Sequence, residues 1–169
     1  MLFVSLTVNQ IQITLQALLT ATIGLSTVRQ QVNESFAQSL ADGVDVGEAD
    51  TLYTAERTIA ASSSENLDLA GSLTDVFGAT ITFAKVKALY IQALSTNTNN
   101  VQVQREGTNG VPIFMALGDG IELSPGAAFL VFDPAGYAVT AGTGDLLAVT
   151  NSGAGSSVTY RIIIIGTST

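Results

Sequence analysis

The chain has 169 residues, 47% of them hydrophobic and only 12% charged, with a net charge of −8 and no Cys, His or Trp. Without histidine or cysteine it lacks the commonest general base, the commonest transition-metal ligand, and all thiol and disulfide chemistry. The six Lys and Arg are scattered, so neither a nucleic-acid backbone nor an anionic membrane is expected as a partner.

The length suits one domain, or one domain with an extended arm. Soluble domains carry about 25% charged residues. The shortfall here predicts apolar surface that is buried between subunits.

Residues 1–25 are apolar, but the first cation is Arg29, and Asn9, Gln10, Gln12 and Gln16 interrupt the run. The nearly apolar piece at 15–25 is too short to span a bilayer, so neither a cleaved signal nor a membrane span is expected. Leu2, Val4, Leu6 and Val8 alternate, and after Asn9-Gln10 the phase shifts to Ile11, Ile13 and Leu15. Period two predicts strand, and the phase shift predicts a bulge or tight turn. A helix over 15–25 is the alternative, weakened by Thr20, Thr22, Ile23 and Gly24. Residues 32–40, with Phe36 and Leu40, form a weaker strand candidate. The stretch "ADGVDVGEAD" predicts a solvated loop.

From residue 51 onward the predicted strands are "TLYTAERTIAA", "ENLDLAG", "VQVQ", "VPIFMAL", "IEL", "FLVF", "YAVT", "DLLAVT" and "SVTYRIIII". Turns rich in Gly, Asn, Asp and Pro separate them. Residues 80–94 fit a strand with a bulge near Lys85 better than a helix, because Thr80, Ile81 and Thr82 are β-branched. Lys85 and Lys87 are expected at the surface. This spacing predicts an all-β fold: a β-sandwich or jelly-roll-like domain over 51–169, with an N-terminal arm or added strands over 1–50. Ile162, Ile163, Ile164 and Ile165 are apolar on both faces of their strand. They predict either a central strand with a second layer outside it or a subunit contact.

Reactive groups are sparse. Gly142-Thr143-Gly144 begins a dinucleotide fingerprint, but Leu147 stands where its third glycine belongs and no helix follows, so a turn is expected. Asp119 with Glu122, or Asp133 with Asp145, would suit glycoside hydrolysis or calcium. Each pair lies among Gly- and Pro-containing turns, where Asp commonly serves the turn itself. Asn33-Glu34-Ser35 matches a glycosylation sequon by pattern alone. Tyr53, Tyr90, Tyr137 and Tyr160 are dispersed and read as packing residues. No catalytic, cofactor-binding or metal residue is assigned, no cofactor is expected, and the chain reads as a non-enzyme.

The segments "LTDVFGATITFAKVKALYI", "NTNNVQV" and "LSPGAAFLVFDPAGYAVTAGTGDLLAVTNSGAGSSVTYRIIIIGTS" resemble a family of small tailed-bacteriophage virion structural proteins. Capsid decoration, or cement, proteins are the most similar of these. The resemblance covers roughly two-thirds of the chain. It implies a sandwich or jelly roll made in the host cytoplasm and bound to the outer surface of the phage head. The implied partner is the major capsid protein of the same virion, and the chain is expected to be a homo-oligomer, with a trimer favoured. Its contacts are expected from residues 1–25, with Leu2, Val4, Leu6, Val8, Ile11, Ile13 and Leu15 singled out, and from Ile162, Ile163, Ile164 and Ile165. A tail or fibre component and a carbohydrate-binding module are the alternatives.

Overall fold

The structure is a computed structural model, and it describes residues 5–169. Among these the chain forms strands and no helix. β1 (Val8–Ile23) and β2 (Ser26–Asp42) make one long antiparallel hairpin, in register from Ile11↔Gln38 to Ile23↔Ser26. Thus residues 15–23 are strand, not helix. Their β-branched residues favour the extended chain, and each has a cross-strand partner. The register shift between Val8 and Ile11 is the predicted bulge at Asn9-Gln10. Gly24 and Leu25 close the hairpin. Gly24 has φ +61 and Leu25 stays outside the left-handed region, as in a two-residue II′ turn.

After the short β3 (Glu48–Ala49), which runs parallel to the end of β2, comes the body. Its long strands are β4 (Thr51–Ile59), β5 (Ser64–Asp68), β8 (Lys85–Ala93), β9 (Val101–Arg105), β10 (Gly120–Leu123), β11 (Ala128–Ala138), β12 (Leu146–Asn151) and β13 (Val158–Thr167). One sheet has the order β11-β8-β13-β4 and the other β10-β9-β12-β5. Counted in chain order, these body strands lie sixth-third-eighth-first and fifth-fourth-seventh-second. Folding a long hairpin over on itself produces this interleaving, which is the jelly-roll arrangement. The small ribbon of β6 (Leu73–Thr74) and β7 (Thr80–Ile81) lies between β5 and β8 in the chain.

Alternation fills the core between the sheets. Ile162, Ile164, Leu89 and Ile91 point inward from one sheet, and Val101, Val103, Leu147 and Val149 from the other. At one edge the guanidinium of Arg57 on β4 donates from Nε (2.8 Å) and Nη2 to Glu65 Oε2 on β5, joining the two sheets. The Tyr160 hydroxyl donates to the other Glu65 oxygen at 2.9 Å.

Several expectations need correction. "VPIFMAL" forms turns, not a strand. The Arg105 guanidinium donates to the carbonyls of Gly110, Phe114 and Met115, and the segment wraps around that side chain. "FLVF" and the Tyr137-Ala138 half of "YAVT" belong to one strand, β11, interrupted between Phe132 and Tyr137. There the Asp133 carboxylate accepts the Ala135 N–H and Gly136 takes φ +83. Lys87 is not a surface group but is fully buried. Its ammonium donates to the carbonyls of Asp45 (3.1 Å), Pro134 (2.8 Å) and Ala135 (3.2 Å). Burial, and then the charge of Lys85, pull its pKa below the ordinary lysine value.

A candidate assembly surface

Residues paired across a β-ribbon share a face, so the register of the hairpin sorts its side chains. The odd-numbered positions of β1 give one face: Ile13, Leu15, Ala17, Leu19, Ala21 and Ile23, opposite Phe36, Glu34, Val32, Gln30, Val28 and Ser26. The even-numbered positions give the other: Gln12, Thr14, Gln16, Leu18, Thr20 and Thr22, opposite Ala37, Ser35, Asn33, Gln31, Arg29 and Thr27. Side-chain hydrogen bonds knit this second face together, such as Gln16 Nε2 to Asn33 Oδ1 at 3.3 Å. The arm is therefore an amphipathic ribbon.

Its apolar face is bare over most of its length. Every residue from 12 to 39 is exposed. The large apolar side chains of that face, from Val32 to Ile23, are between 37% and 68% exposed. An isolated two-stranded hairpin is marginally stable in water, and a contiguous patch this size is unusual on a monomer.

Only the root of the arm is anchored to the body. Ile11 and Leu40 are buried in a second, smaller cluster with Ala49 and Ala88, and Leu6, Val8, Leu130, Phe132 and Ile165 pack against it. This cluster lies on the outer face of the β11-β8-β13-β4 sheet, away from the main core. Polar links reinforce it. The Leu6 N–H donates to Asp42 Oδ1 (3.0 Å), the Gly47 N–H to the Pro134 carbonyl (3.2 Å) and the Asp50 N–H to the Gly166 carbonyl (3.1 Å). Lys87 lies among these links, gripping both the 45–48 turn and the 133–136 bulge.

The expected contact residues separate into groups. Leu2 and Val4 lie outside the described residues. Leu6, Val8 and Ile11 belong to the root and are partly or wholly covered by this same chain. Ile13 and Leu15 stand free on the arm. Ile162 and Ile164 are fully buried in the main core and so are unavailable to a partner, which corrects their assignment as contact residues. Ile163 faces outward and is 37% exposed, while Ile165 packs beneath the root. The last strand is thus a central strand whose outer face is covered in part by the arm. Sequence reasoning missed Val28, Val32 and Phe36. Reading β1 and β2 as one ribbon would have found them, because only the pairing puts Val28, Val32 and Phe36 beside the apolar positions of β1.

The acidic residues serve local structure. Asp119 Oδ2 accepts the Ala116 N–H (2.9 Å) and Asp145 Oδ2 the Gly142 N–H (2.7 Å). Glu122 accepts from the Gln102 and Asn100 amides, which hold its carboxyl below the usual range. Glu106 is held low in the same way by the backbone N–H groups of Asn109 and Thr108. Among the described residues no three His, Cys, Asp or Glu side chains gather as a metal site, and no helix is long and apolar enough to cross a membrane. A cavity of about 430 Å³ lies beside β4, lined by Leu6, Leu52, Val76, Phe77 and Ile81 among others. Compared with protein-family models, curated proteins and solved structures, the chain gives no match.

Proposed function

We propose that this chain is a non-enzymatic virion structural protein, a capsid decoration protein that binds the outside of a tailed-phage head, associates with copies of itself and reinforces contacts between capsomers. The observation that carries this reading is the combination of a jelly-roll body with a long, exposed amphipathic arm. A protein that clamps its neighbours needs area and shape rather than reactive groups. The jelly roll recurs among viral capsid domains and also among lectins, so the fold supports the reading only together with the surface.

The rest of the surface agrees with it. The net charge of −8 suits the outside of a head better than the face that meets packaged DNA. Among the described residues no tyrosine is exposed, and the exposed phenylalanines lie apart in sequence, Phe36 on the arm and Phe77 on the 75–78 turn. A sugar-binding module would want a row of exposed rings.

The test is to separate purified virions into heads and tails and locate the 17.4 kDa chain by mass spectrometry. Recovery with heads, at a copy number near that of the major capsid protein, is the expected result. Recovery with tails, or absence from the particle, overturns the reading.

A further inference from the structure

The bare face of the arm is self-complementary. We infer that it is covered by the same face of a second copy's arm, the two ribbons stacking antiparallel about a twofold axis. This gives a surface to the self-association proposed above, with a twofold pair in place of the trimer that the resemblance favours, but it does not depend on where in a virion the protein resides.

The order of side chains along β1 carries the inference. The face reads Ile13, Leu15, Ala17, Leu19, Ala21, Ile23. A twofold axis level with Leu18 lays Ile13 over Ile23, Leu15 over Ala21 and Ala17 over Leu19. Leucine meets alanine at both inner layers, and isoleucine meets isoleucine at the ends. Alternating large and small residues in this way fills the roughly 10 Å between stacked sheets.

The register then fixes what β2 meets. Leu15 pairs with Glu34 and Ala21 with Val28, so Glu34 of one arm lies over Val28 of the second copy. Ala17 pairs with Val32 and Leu19 with Gln30, so Val32 lies over Gln30. No like charges oppose each other. Glu34 stands on the rail away from the apolar one, where its carboxylate reaches water. A parallel stack would instead lay β1 over β2, with Leu15 over Glu34 and Leu19 over Gln30, so the two largest side chains of the face would cover its two most polar ones, which costs free energy.

Charge and area point the same way. Arg29 and Glu34 are the only charged residues in 1–40, so the whole net charge of −8 lies on 41–169. Antiparallel arms hold the two acidic bodies at opposite ends of a ribbon roughly 50 Å long, against a Debye length of about 8 Å. The large apolar side chains of the face expose on the order of 600 Å² per copy, close to the roughly 800 Å² per partner of an ordinary specific interface. The face also continues without a break from the root, where Phe36 and Ile11 already pack against this chain's own body.

The experiment is sedimentation velocity on the purified full chain and on two variants at one exposed position, Val28→Glu and Val28→Lys, with circular dichroism to confirm that each is folded. The wild-type chain is expected at twice its 17.4 kDa mass. Val28→Glu sets a carboxylate against Glu34 of the second copy and is expected to weaken the dimer at least tenfold. Val28→Lys sets an ammonium there and is expected to keep it. A wild-type mass of one chain or of three chains overturns the inference, and so do equal effects of the two variants. A dimer of a protein that is absent from virions would overturn the virion reading and leave this one standing, and a monomer recovered with heads would do the reverse.

Discussion

The ring of Phe36, on the arm, stands edge-on to the ring of Phe132, on the outer face of the β11-β8-β13-β4 sheet, with centroids 5.9 Å apart and planes at 60°. It is an aromatic contact across the junction of arm and body. An edge-to-face pair contributes about 0.5–1.5 kcal/mol beyond its buried area. Phe132→Ala is therefore expected to loosen the root by about 1–2 kcal/mol. Native-state hydrogen exchange measures this, because local opening is read separately from global unfolding. The Ala41 amide, bonded to the Gly47 carbonyl, should exchange about tenfold faster. The amides between β8 and β13 should not change. Equal acceleration at both places would mean that arm and body open as one unit.

Lys87 makes a second link across the same junction. Replacing it with methionine keeps the length of the side chain but leaves the carbonyls of Asp45, Pro134 and Ala135 without their donor. The three residues are themselves exposed, so water takes up their carbonyls and the loss is the net worth of hydrogen bonds to a charged donor, about 1.5–3 kcal/mol. The ammonium carries its own desolvation cost, which methionine does not. The net expectation for Lys87→Met is a loss of about 2–3 kcal/mol, measured by urea unfolding. An unchanged midpoint would show that burying the cation costs as much as its hydrogen bonds return.

Gly166 follows the isoleucines because the chain cannot carry a side chain there. At this point β13 shifts register against β8. A Cβ would clash with the Lys85 carbonyl oxygen and lie 2.9 Å from the Phe83 ring. Backbone is the obstacle, so rotating a side chain gives no relief. Gly166→Ala is expected to cost about 1–3 kcal/mol, seen as a lower Tm with the fold retained. A Tm equal to wild type would mean that the bulge has room to open.

Much of this architecture is legible in the sequence, for a physical reason. Short strands punctuated by Gly, Asn, Asp and Pro specify an all-β body, and the phase shift at Asn9-Gln10 marks the bulge at the start of the arm because one extra residue exchanges the faces. Features that depend on distant partners are not legible. "VPIFMAL" alternates like a strand, yet Arg105 draws its carbonyls inward. Lys87 has the pattern of a surface residue, and only the approach of the 45–48 turn and the 133–136 bulge buries it. The arm shows the same limit. β1 alone looks like an apolar segment of mixed phase, because Leu18 and Leu19 fall on opposite faces. Its amphipathic character appears once β2 lies beside it.

Tyr160 gives the body a stability that is lost at alkaline pH. Its side chain is buried and its hydroxyl donates to Glu65. Burial first, and the Glu65 charge second, raise its pKa above the ordinary tyrosine value of 10.0. When the folded pKa is the higher one, the unfolded chain ionises first as the pH rises. The stability from this group is complete below about pH 10 and is lost above it, at about 1.4 kcal/mol per pH unit. Tyr137 is shifted the same way by burial and Asp133, so it adds a slope of the same sign. Lys87, with its lowered pKa, adds one of opposite sign below the ordinary lysine value. Both are present in wild type and in Tyr160→Phe, so the difference between the two proteins isolates Tyr160. At neutral pH the variant should be about 1 kcal/mol less stable, having lost one hydrogen bond. Between pH 10 and 11 the wild-type chain should lose that advantage, and the two denaturation midpoints should converge and then cross. Midpoints that fall in parallel across this range would show that Tyr160 ionises as readily in the fold as in the open chain.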